Sequence, residues 1–209
     1  MDALGIKRAV FAGYDWGGRA ACVGAALWPE RCTGLVSVNS YLIQDIAGAM
    51  VPAKPEREVP LWYQYYFQVE RGRAGLAANR REIAKVLWRQ WAPNWDFDDA
   101  TFERTAVAFD NPDYVDIVIH SYRHRFGLAD GDPQYAELQR RLAALPAITV
   151  PSITLDGAGD GVALANDGTA SAAKFTGRRT HHVIPRAGHN LPQEEPEAFA
   201  GAVMALIRA

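Results

Sequence analysis

Short apolar runs and helix-like segments alternate along the chain, and this pattern predicts an α/β fold. Residues 8–14 (RAVFAGY) and 34–41 (GLVSVNSY) are β-rich apolar runs of the kind buried in a parallel sheet. Between them the small residues of 17–27 predict a closely packed helix that ends near Pro29. Residues 8–41 are therefore predicted to form a strand, a helix and a second strand, in that order.

The pattern changes between about residues 45 and 146. Trp, Tyr, Arg and Glu become frequent, strand-like runs are scarce, and helical periodicity appears in 81–91 (REIAKVLWRQW) and 135–145 (YAELQRRLAAL). We therefore expect a helical insert between two parts of one core. The predicted parts are residues 1–45 (core), 46–146 (helical insert) and 147–209 (core).

The strand pattern returns after the insert. Residues 148–157 (ITVPSITLDG) and 180–185 (THHVIP) are strand candidates, with an Ala-rich helix candidate between them and a last helix at about 196–208. Strands that alternate with helices in this way form a parallel sheet through right-handed crossovers. The sequence therefore predicts a parallel sheet of about four strands.

Composition and charge narrow the class of partner. The 209 residues are 49% hydrophobic and can bury one ordinary core, and the net charge of −2 comes from 24 acidic and 22 basic residues without long runs. This balance excludes the basic footprint of a nucleic-acid or anionic-membrane binder. Cys22 and Cys32 form neither a disulfide framework nor a metal cluster, and no stretch has the apolar length of a signal or membrane span. We expect a cytoplasmic protein with small neutral partners.

The string FAGYDWGG at 11–18 places Asp15 between a predicted strand and a predicted helix. Gly-x-Asp-x-Gly-Gly has the layout of a nucleophile elbow, a strained turn that presents its central side chain at the carboxyl edge of a sheet. On this interpretation Gly13, Gly17 and Gly18 must all be small. The string is equally compatible with Asp15 as a helix N-cap, so it leaves both interpretations open.

An elbow nucleophile needs a basic histidine and an acid that orients it, in the chain order nucleophile, acid, histidine. Asp156 and Asp160 follow the third predicted strand in DGAGDG, and His189 follows the fourth in AGHNLP. The carboxyl ends of parallel strands meet at one edge of a sheet, so these side chains can converge on Asp15.

The sequence predicts no metal and no cofactor. Residues 156–167 have only a superficial EF-hand spacing, because two ligand positions are apolar and a strand precedes them. The pair His120 and His124 has no third ligand at a suitable spacing. The neighbours His181 and His182 lie in a predicted strand, where adjacent side chains face opposite sides.

Together these motifs resemble the α/β-hydrolase family, and within it the branch with an aspartate nucleophile, the epoxide hydrolases and haloalkane dehalogenases. GYDWGG at 13–18 is similar to the elbow of that branch, and LDGAGD at 155–160 is similar to its acid loop. AGHNLPQEEPEAF at 187–199 is similar to its histidine loop and last helix. The resemblance covers nearly the whole chain and implies that the helical insert is the family's lid.

The resemblance implies a hydrolase that works through an alkyl-enzyme ester. Asp15 would be the nucleophile, which is ionised at neutral pH and attacks saturated carbon. His189, oriented by Asp160 in preference to Asp156, would deprotonate the water that hydrolyses the ester. The backbone amide of Trp16 would supply an oxyanion donor.

The leaving group is expected to be the oxygen of an epoxide. WYQYYFQ and HSYRHR resemble two lid segments of epoxide hydrolases and imply Tyr63 and Tyr122 as proton donors to the alkoxide. The alternative is a haloalkane or haloacid dehalogenase, because the indoles of Trp16 and Trp62 could hold a halide. In both cases the expected partners are a small apolar substrate and water.

The chain departs from the family at its N-terminal side. Four strands and a His-Gly loop normally precede the elbow strand, whereas this chain begins at the helix that leads into it. We therefore expect the C-terminal half of an α/β-hydrolase sheet, with the RAVFAGY strand exposed at one edge and able to mediate self-association. A further alternative is a catalytically impaired fragment that acts at most as a binding module.

Overall fold

The computed structural model describes residues 1–209 and contains four β-strands and ten α-helices. The strands are β1 Ala9–Gly13, β2 Cys32–Val38, β3 Ser152–Gly157 and β4 Arg179–Ile184. The helices are α1 Asp15–Leu27, α2 Pro55–Glu58, α3 Trp62–Tyr66, α4 Glu70–Ala78, α5 Arg80–Trp91, α6 Asp99–Ala106, α7 Tyr114–Arg125, α8 Ala136–Ala143, α9 Leu191–Glu194 and α10 Pro196–Ile207. None of these helices combines the length and apolar composition that crossing a membrane requires.

The four strands form one parallel sheet in the order β1-β2-β3-β4. Phe11 of β1 lies opposite Leu35 of β2, and Leu35 lies opposite Ser152 of β3. The predicted α/β class and the four-strand parallel sheet are confirmed. Strand β1 pairs only with β2, so it lies at an edge as expected.

Helices cover both faces of the sheet. Strand β2 is buried on both sides, and its successive side chains point in opposite directions. Leu35 packs on one face with Cys22 and Ala25 of α1. Val36 packs on the other face with Leu206 of α10. This arrangement holds the carboxyl ends of all four strands at one edge.

The helices α2 to α8 form a helical segment, residues 55–143, between β2 and β3. The helices predicted at 81–91 and 135–145 are present as α5 and α8. Two hydrophobic clusters lie within the segment, one around Phe67, Leu76, Leu87, Ile119 and Tyr122, and one around Trp88 and Phe102.

Two predicted elements differ from the sequence expectation. Strand β3 begins at Ser152 rather than at 148, because Pro151 has no N–H to donate to a strand ladder, and Ile148 forms only an isolated bridge with Phe175. The Ala-rich helix candidate is a short 3₁₀ helix, Thr169–Lys174. It ends just before Phe175, which is buried in the core.

The elbow needs fewer small residues than its sequence suggests. A Cβ on Gly13 would overlap the backbone of Gly17, and a Cβ on Gly18 would lie 2.6 Å from Cδ1 of Leu42. A Cβ on Gly17 would meet no atom within 4 Å. The expectation that all three glycines must be small is therefore wrong for Gly17, which faces open space.

We expect Gly13→Ala to lower the free energy of unfolding by about 1–3 kcal/mol, because the added methyl group would force the elbow backbone to move. Gly17→Ala is the matched control, and we expect it to be neutral or to stabilise the helix by roughly 0.5–1 kcal/mol. Urea denaturation followed by circular dichroism measures both values. Equal destabilisation by the two substitutions would contradict this elbow geometry.

Candidate active site

Asp15 lies at the turn from β1 into α1 and has a positive φ of 45°. A non-glycine residue rarely adopts this left-handed conformation, and such strain concentrates at functional sites. Tyr14 is the N-cap of α1, and the cap has no side-chain hydrogen bond. Asp15 is therefore not the N-cap that its sequence also allowed, and its side chain is 30% exposed.

The loops after β1, β3 and β4 bring Asp15, Asp160 and His189 together. Nδ1 of His189 lies 2.9 Å from Oδ2 of Asp160, and Nε2 of His189 lies 3.9 Å from Oδ2 of Asp15. His189 and Asp160 are buried. One imidazole thus stands between two carboxylates, each facing a different ring nitrogen.

Asp156, the other acid that the sequence allowed, faces away from His189. Its Oδ2 accepts hydrogen bonds from the backbone and side-chain nitrogens of Asn166 and lies 3.9 Å from Nε2 of His181. The geometry therefore favours Asp160 as the partner of His189.

The carboxylate of Asp160 is held by four donors. Its Oδ1 accepts the backbone N–H groups of Val162 and Ala163 at 2.7 and 2.8 Å. Its Oδ2 accepts a hydrogen bond from Nδ2 of Asn39 at 3.0 Å, in addition to the one from Nδ1 of His189 at 2.9 Å. Hydrogen bonds from this many donors fix the orientation of the carboxylate.

The end of helix α5 is hydrogen-bonded to the loops of both Asp160 and His189. The carbonyl oxygen of Trp91 accepts the backbone N–H of His189 at 3.1 Å and that of Gly161 at 3.0 Å. The Trp91 ring also lies edge-on to the His189 ring, with 5.3 Å between centroids. On the histidine loop, Oε2 of Glu194 accepts the N–H of Gly188 at 2.7 Å. The helical segment and the sheet loops therefore form one site.

The negative charges on Asp15 and Asp160 stabilise the positive charge on His189. Burial alone would lower the pKa of His189, but its contacts with Asp15 and Asp160 outweigh burial and raise that pKa to about 9. For Asp15, burial favours the neutral form, yet the nearby His189 and the charges of Arg19 and Arg125 keep its pKa below the usual value. Near neutral pH the resting pair is thus an imidazolium and a carboxylate.

Asp15 opens onto a cavity of about 470 Å³ between α1 and the helical segment. Thirteen of its fifteen lining residues are hydrophobic, so the cavity favours an apolar ligand. The lining includes Trp16, Leu76, Ile83, Leu87, Trp88, Trp91, Ile117 and Tyr122.

The two predicted tyrosine donors lie side by side. Tyr63 and Tyr122 are buried, and their rings are perpendicular with 5.4 Å between centroids. Tyr122 lines the cavity, whereas Tyr63 is not among its lining residues. Burial, with Asp15 nearby, raises the pKa of both phenols, so both remain protonated and able to donate.

The two tryptophans of the halide alternative lie in different surroundings. Trp16 lines the cavity next to Asp15, and its backbone N–H belongs to the first turn of α1, which has no helical carbonyl to bond. Trp62 does not line the cavity, and its Nε1 donates to Oε1 of Gln90 at 2.8 Å. Of these two tryptophans, only Trp16 is in contact with the cavity.

No group of three or more His, Cys, Asp or Glu side chains is arranged to hold a metal ion. The rings of His120 and His124 stack with 5.9 Å between centroids. His181 is engaged by Oγ1 of Thr154 and the carbonyl of Asn166.

Three residues of the site, Asn39, Trp91 and Glu194, were not predicted from the sequence. Asn39 directly follows β2, at the same sheet edge as the predicted acid and base, and this position is a signal that could have identified it. Trp91 acts through a backbone carbonyl, which any residue type carries, so no sequence signal points to it.

Comparison with known proteins agrees with this geometry. The family model described as the alpha/beta hydrolase fold matches residues 1–196. A crystal structure from Klebsiella pneumoniae subsp. pneumoniae, provisionally named an epoxide hydrolase, is 49% identical with a TM-score of 0.97, and the match covers 100% of this chain and 69% of that one.

Curated relatives carry the same name. Bifunctional epoxide hydrolase 2 of Mus musculus is 38% identical over 69 residues, which are 32% of this chain and only 12% of the mouse protein. Epoxide hydrolase A of Mycobacterium tuberculosis is 26% identical over 238 residues, covering 98% of this chain and 70% of that protein. With an elbow, an acid loop and a histidine loop at one edge of a parallel sheet, and a family model that spans most of its length, the chain belongs to the α/β-hydrolase family.

Proposed function

We propose that this protein hydrolyses an epoxide through an ester on Asp15. The observation that carries the proposal is the ionised Asp15 at the floor of an apolar cavity, with the Tyr122 phenol in the same lining. An oxygen of Asp15 attacks a ring carbon of the epoxide, the C–O bond of the ring breaks, and the alkyl-enzyme ester forms. The names of the relatives support this reaction class.

The second step is hydrolysis of that ester. His189 accepts a proton from water at Nε2, and the water oxygen adds to the carboxyl carbon of Asp15. The backbone N–H of Trp16 donates to the oxyanion that develops there. The bond between the carboxyl carbon and the alkyl oxygen then breaks, the proton on His189 passes to the departing oxygen, and the diol leaves.

The charge of Asp15 determines when His189 can act as a base. While Asp15 is a carboxylate, the pKa of His189 is about 9 and the imidazole carries a proton. Formation of the neutral ester removes one of the two anions that stabilise the imidazolium, so the pKa of His189 falls and the ring can act as a base. The phenol that protonates the alkoxide regains a proton as His189 loses one. After the diol forms, the acid proton left on Asp15 returns to His189, so the resting charges are restored and no net proton is released.

The phenols favour an epoxide over a halide. An alkoxide needs a strong donor, whereas a halide needs only weak N–H donors. Tyr122 lines the cavity, and the Tyr63 ring packs against the Tyr122 ring. The Trp62 indole instead donates a hydrogen bond to Gln90. The helical segment would serve as the lid that carries these phenols and keeps water away from the cavity.

Dehalogenation is the second candidate function, and the observation that favours it is Trp16 in the cavity lining beside Asp15. Its chemistry uses the same ester but releases a halide and a net proton. Epoxide hydration releases no net proton. The two reactions therefore differ in their products and in their effect on the pH of an unbuffered solution.

We expect His189→Gln to form the ester and then hydrolyse it very slowly, because the general base is lost. Incubation with styrene oxide followed by mass spectrometry of the peptide that contains Asp15 measures the trapped adduct. Asp15→Asn is the control and should give neither adduct nor diol while remaining folded. Turnover of Asp15→Asn at the rate of the unmodified protein would contradict the proposal.

We expect Asp15→Asn to lower the pKa of His189 from about 9 towards its ordinary value, because one stabilising anion is removed. At pH 8 the imidazole should then change from mainly protonated to mainly neutral. A titration of the His189 ring followed by ¹⁵N NMR measures the change. Asp156→Asn, which alters the carboxylate that faces His181, is the matched control and should change the His189 pKa much less. An unchanged pKa in Asp15→Asn would exclude the charge coupling.

We expect Tyr122→Phe to lower kcat for epoxide opening by about 10²- to 10³-fold, the usual loss when one donor to a developing oxyanion is removed. Tyr65→Phe is the control, because Tyr65 is exposed and its hydroxyl bonds Glu58. Parallel assays with styrene oxide and 1-bromobutane, recording diol and bromide, measure both variants. Bromide release that exceeds diol formation would favour the dehalogenase instead.

A further inference from the structure

Two consecutive residues after β2 adopt the left-handed conformation without being glycine. Asn39 has a φ of 65° and Ser40 a φ of 68°. Asn is among the few side chains that tolerate this region, although the conformation is strained for any residue with a Cβ. The N–H of Asn39 still donates to the carbonyl of Leu155 at 2.8 Å, so the turn begins where the ladder between β2 and β3 ends.

The side chain of Asn39 has one hydrogen bond, and that bond reaches the acid of the site. Its Nδ2 donates to Oδ2 of Asp160 at 3.0 Å, and the same oxygen accepts Nδ1 of His189 at 2.9 Å. The NH₂ group must face Asp160, because an ionised carboxylate can only accept. Oδ1 of Asn39 is buried without a partner. The amide therefore has no other polar contact that would explain its place.

A separate polar network holds the strained turn. Oγ of Ser40 accepts a hydrogen bond from Nη2 of Arg179 at 2.8 Å. It also lies 2.5 Å from Oγ of Ser171. The carbonyl oxygen of Ser40 accepts a hydrogen bond from Oγ of Ser37 at 2.6 Å. These contacts fix the backbone of the turn from Ser40, while the Asn39 side chain is left to contact Asp160. Strain that surrounding contacts maintain in this way is typical of functional sites.

The residue type also fits this role. An amide donates a hydrogen bond without adding charge, so Asn39 orients the Asp160 carboxylate and does not compete with it for His189. A carboxylate at position 39 would instead face Oδ2 of Asp160 at the distance where Nδ2 now lies, 3.0 Å, and the two acids would repel each other.

We propose that Asn39 is a positioning residue for ester hydrolysis. It holds the Asp160 carboxylate in the orientation that aligns His189, and it contributes nothing to the first attack, in which Asp15 and the Tyr122 phenol act. The kinetic part rests on the proposed function. A residue that acts through Asp160 and His189 must slow the second half-reaction and leave the first unchanged.

Asn39→Gly tests the proposal cleanly, because glycine accepts the left-handed backbone and only the amide is lost. We expect ester hydrolysis to slow by about 10- to 100-fold, the loss expected for one hydrogen bond to a charged group, with the rate of ester formation unchanged. Rapid-quench single turnovers with styrene oxide and mass spectrometry of the Asp15 peptide separate the two rates. The ester should accumulate in the variant.

Asn166→Ala is the matched control, since it removes an amide that donates to Asp156 at 3.1 Å and leaves the Asn39 amide and its turn in place. We expect both half-reactions to keep their rates. Asn39→Asp preserves the shape of the side chain without the donor, and we expect its ester hydrolysis to slow at least as much as in Asn39→Gly. Equal slowing of both half-reactions in Asn39→Gly, or unchanged ester hydrolysis in both Asn39 variants, would overturn the proposal.

A second measurement requires no turnover. The proton on Nδ1 of His189, which is hydrogen-bonded to Asp160, gives an NMR signal that reports this bond. We expect Asn39→Gly to move this signal and Asn166→Ala to leave it in place. If the unmodified protein forms no ester, the proposed function fails while this signal still tests the positioning role. An unmoved signal in Asn39→Gly would overturn that role.

Discussion

The site depends on one imidazole held between two carboxylates. Asp160 bonds Nδ1 of His189 at 2.9 Å and Asp15 faces Nε2 at 3.9 Å. Because all three groups are largely withdrawn from water, their charges act strongly on each other, and the protonation of His189 follows the charge of Asp15. The proposed chemistry uses this dependence: an ester on Asp15 converts a charged imidazole into a base at the moment when a base is needed.

The parallel sheet makes this arrangement possible, and the helical segment completes it. The strands end at one edge, which brings loops from distant parts of the sequence together, so that Asp160 lies 2.9 Å and Asp15 lies 3.9 Å from the His189 ring. The Trp91 carbonyl then accepts hydrogen bonds from both the acid loop and the histidine loop, so the helix that lines the cavity also fixes the loops of Asp160 and His189. A change in the position of this helix would therefore alter both the binding cavity and the histidine.

The sequence predicted the parts of the site that follow strands and missed those that depend on backbone geometry. Asp15, Asp160 and His189 were predicted to converge because each follows a strand candidate in the same sheet. The family resemblance favoured Asp160 over Asp156, but the residues alone left both acids open, since the path of the loop decides which carboxylate contacts His189. The role of the Asn39 amide depends on a left-handed turn, and the Trp91 contact uses a carbonyl that all residues share. Gly17 was misjudged because a glycine-rich string does not tell which Cβ would clash.

The most direct test of the account is a single turnover of an epoxide in H₂¹⁸O with the enzyme in excess. If an oxygen of Asp15 attacks the substrate, the first diol contains no label and the ¹⁸O is found in the Asp15 carboxylate. If His189 activates water to attack the epoxide directly, the first diol carries the label and Asp15 does not. We expect an unlabelled first diol with ¹⁸O in Asp15, and a labelled first diol with unlabelled Asp15 would contradict the proposed ester mechanism.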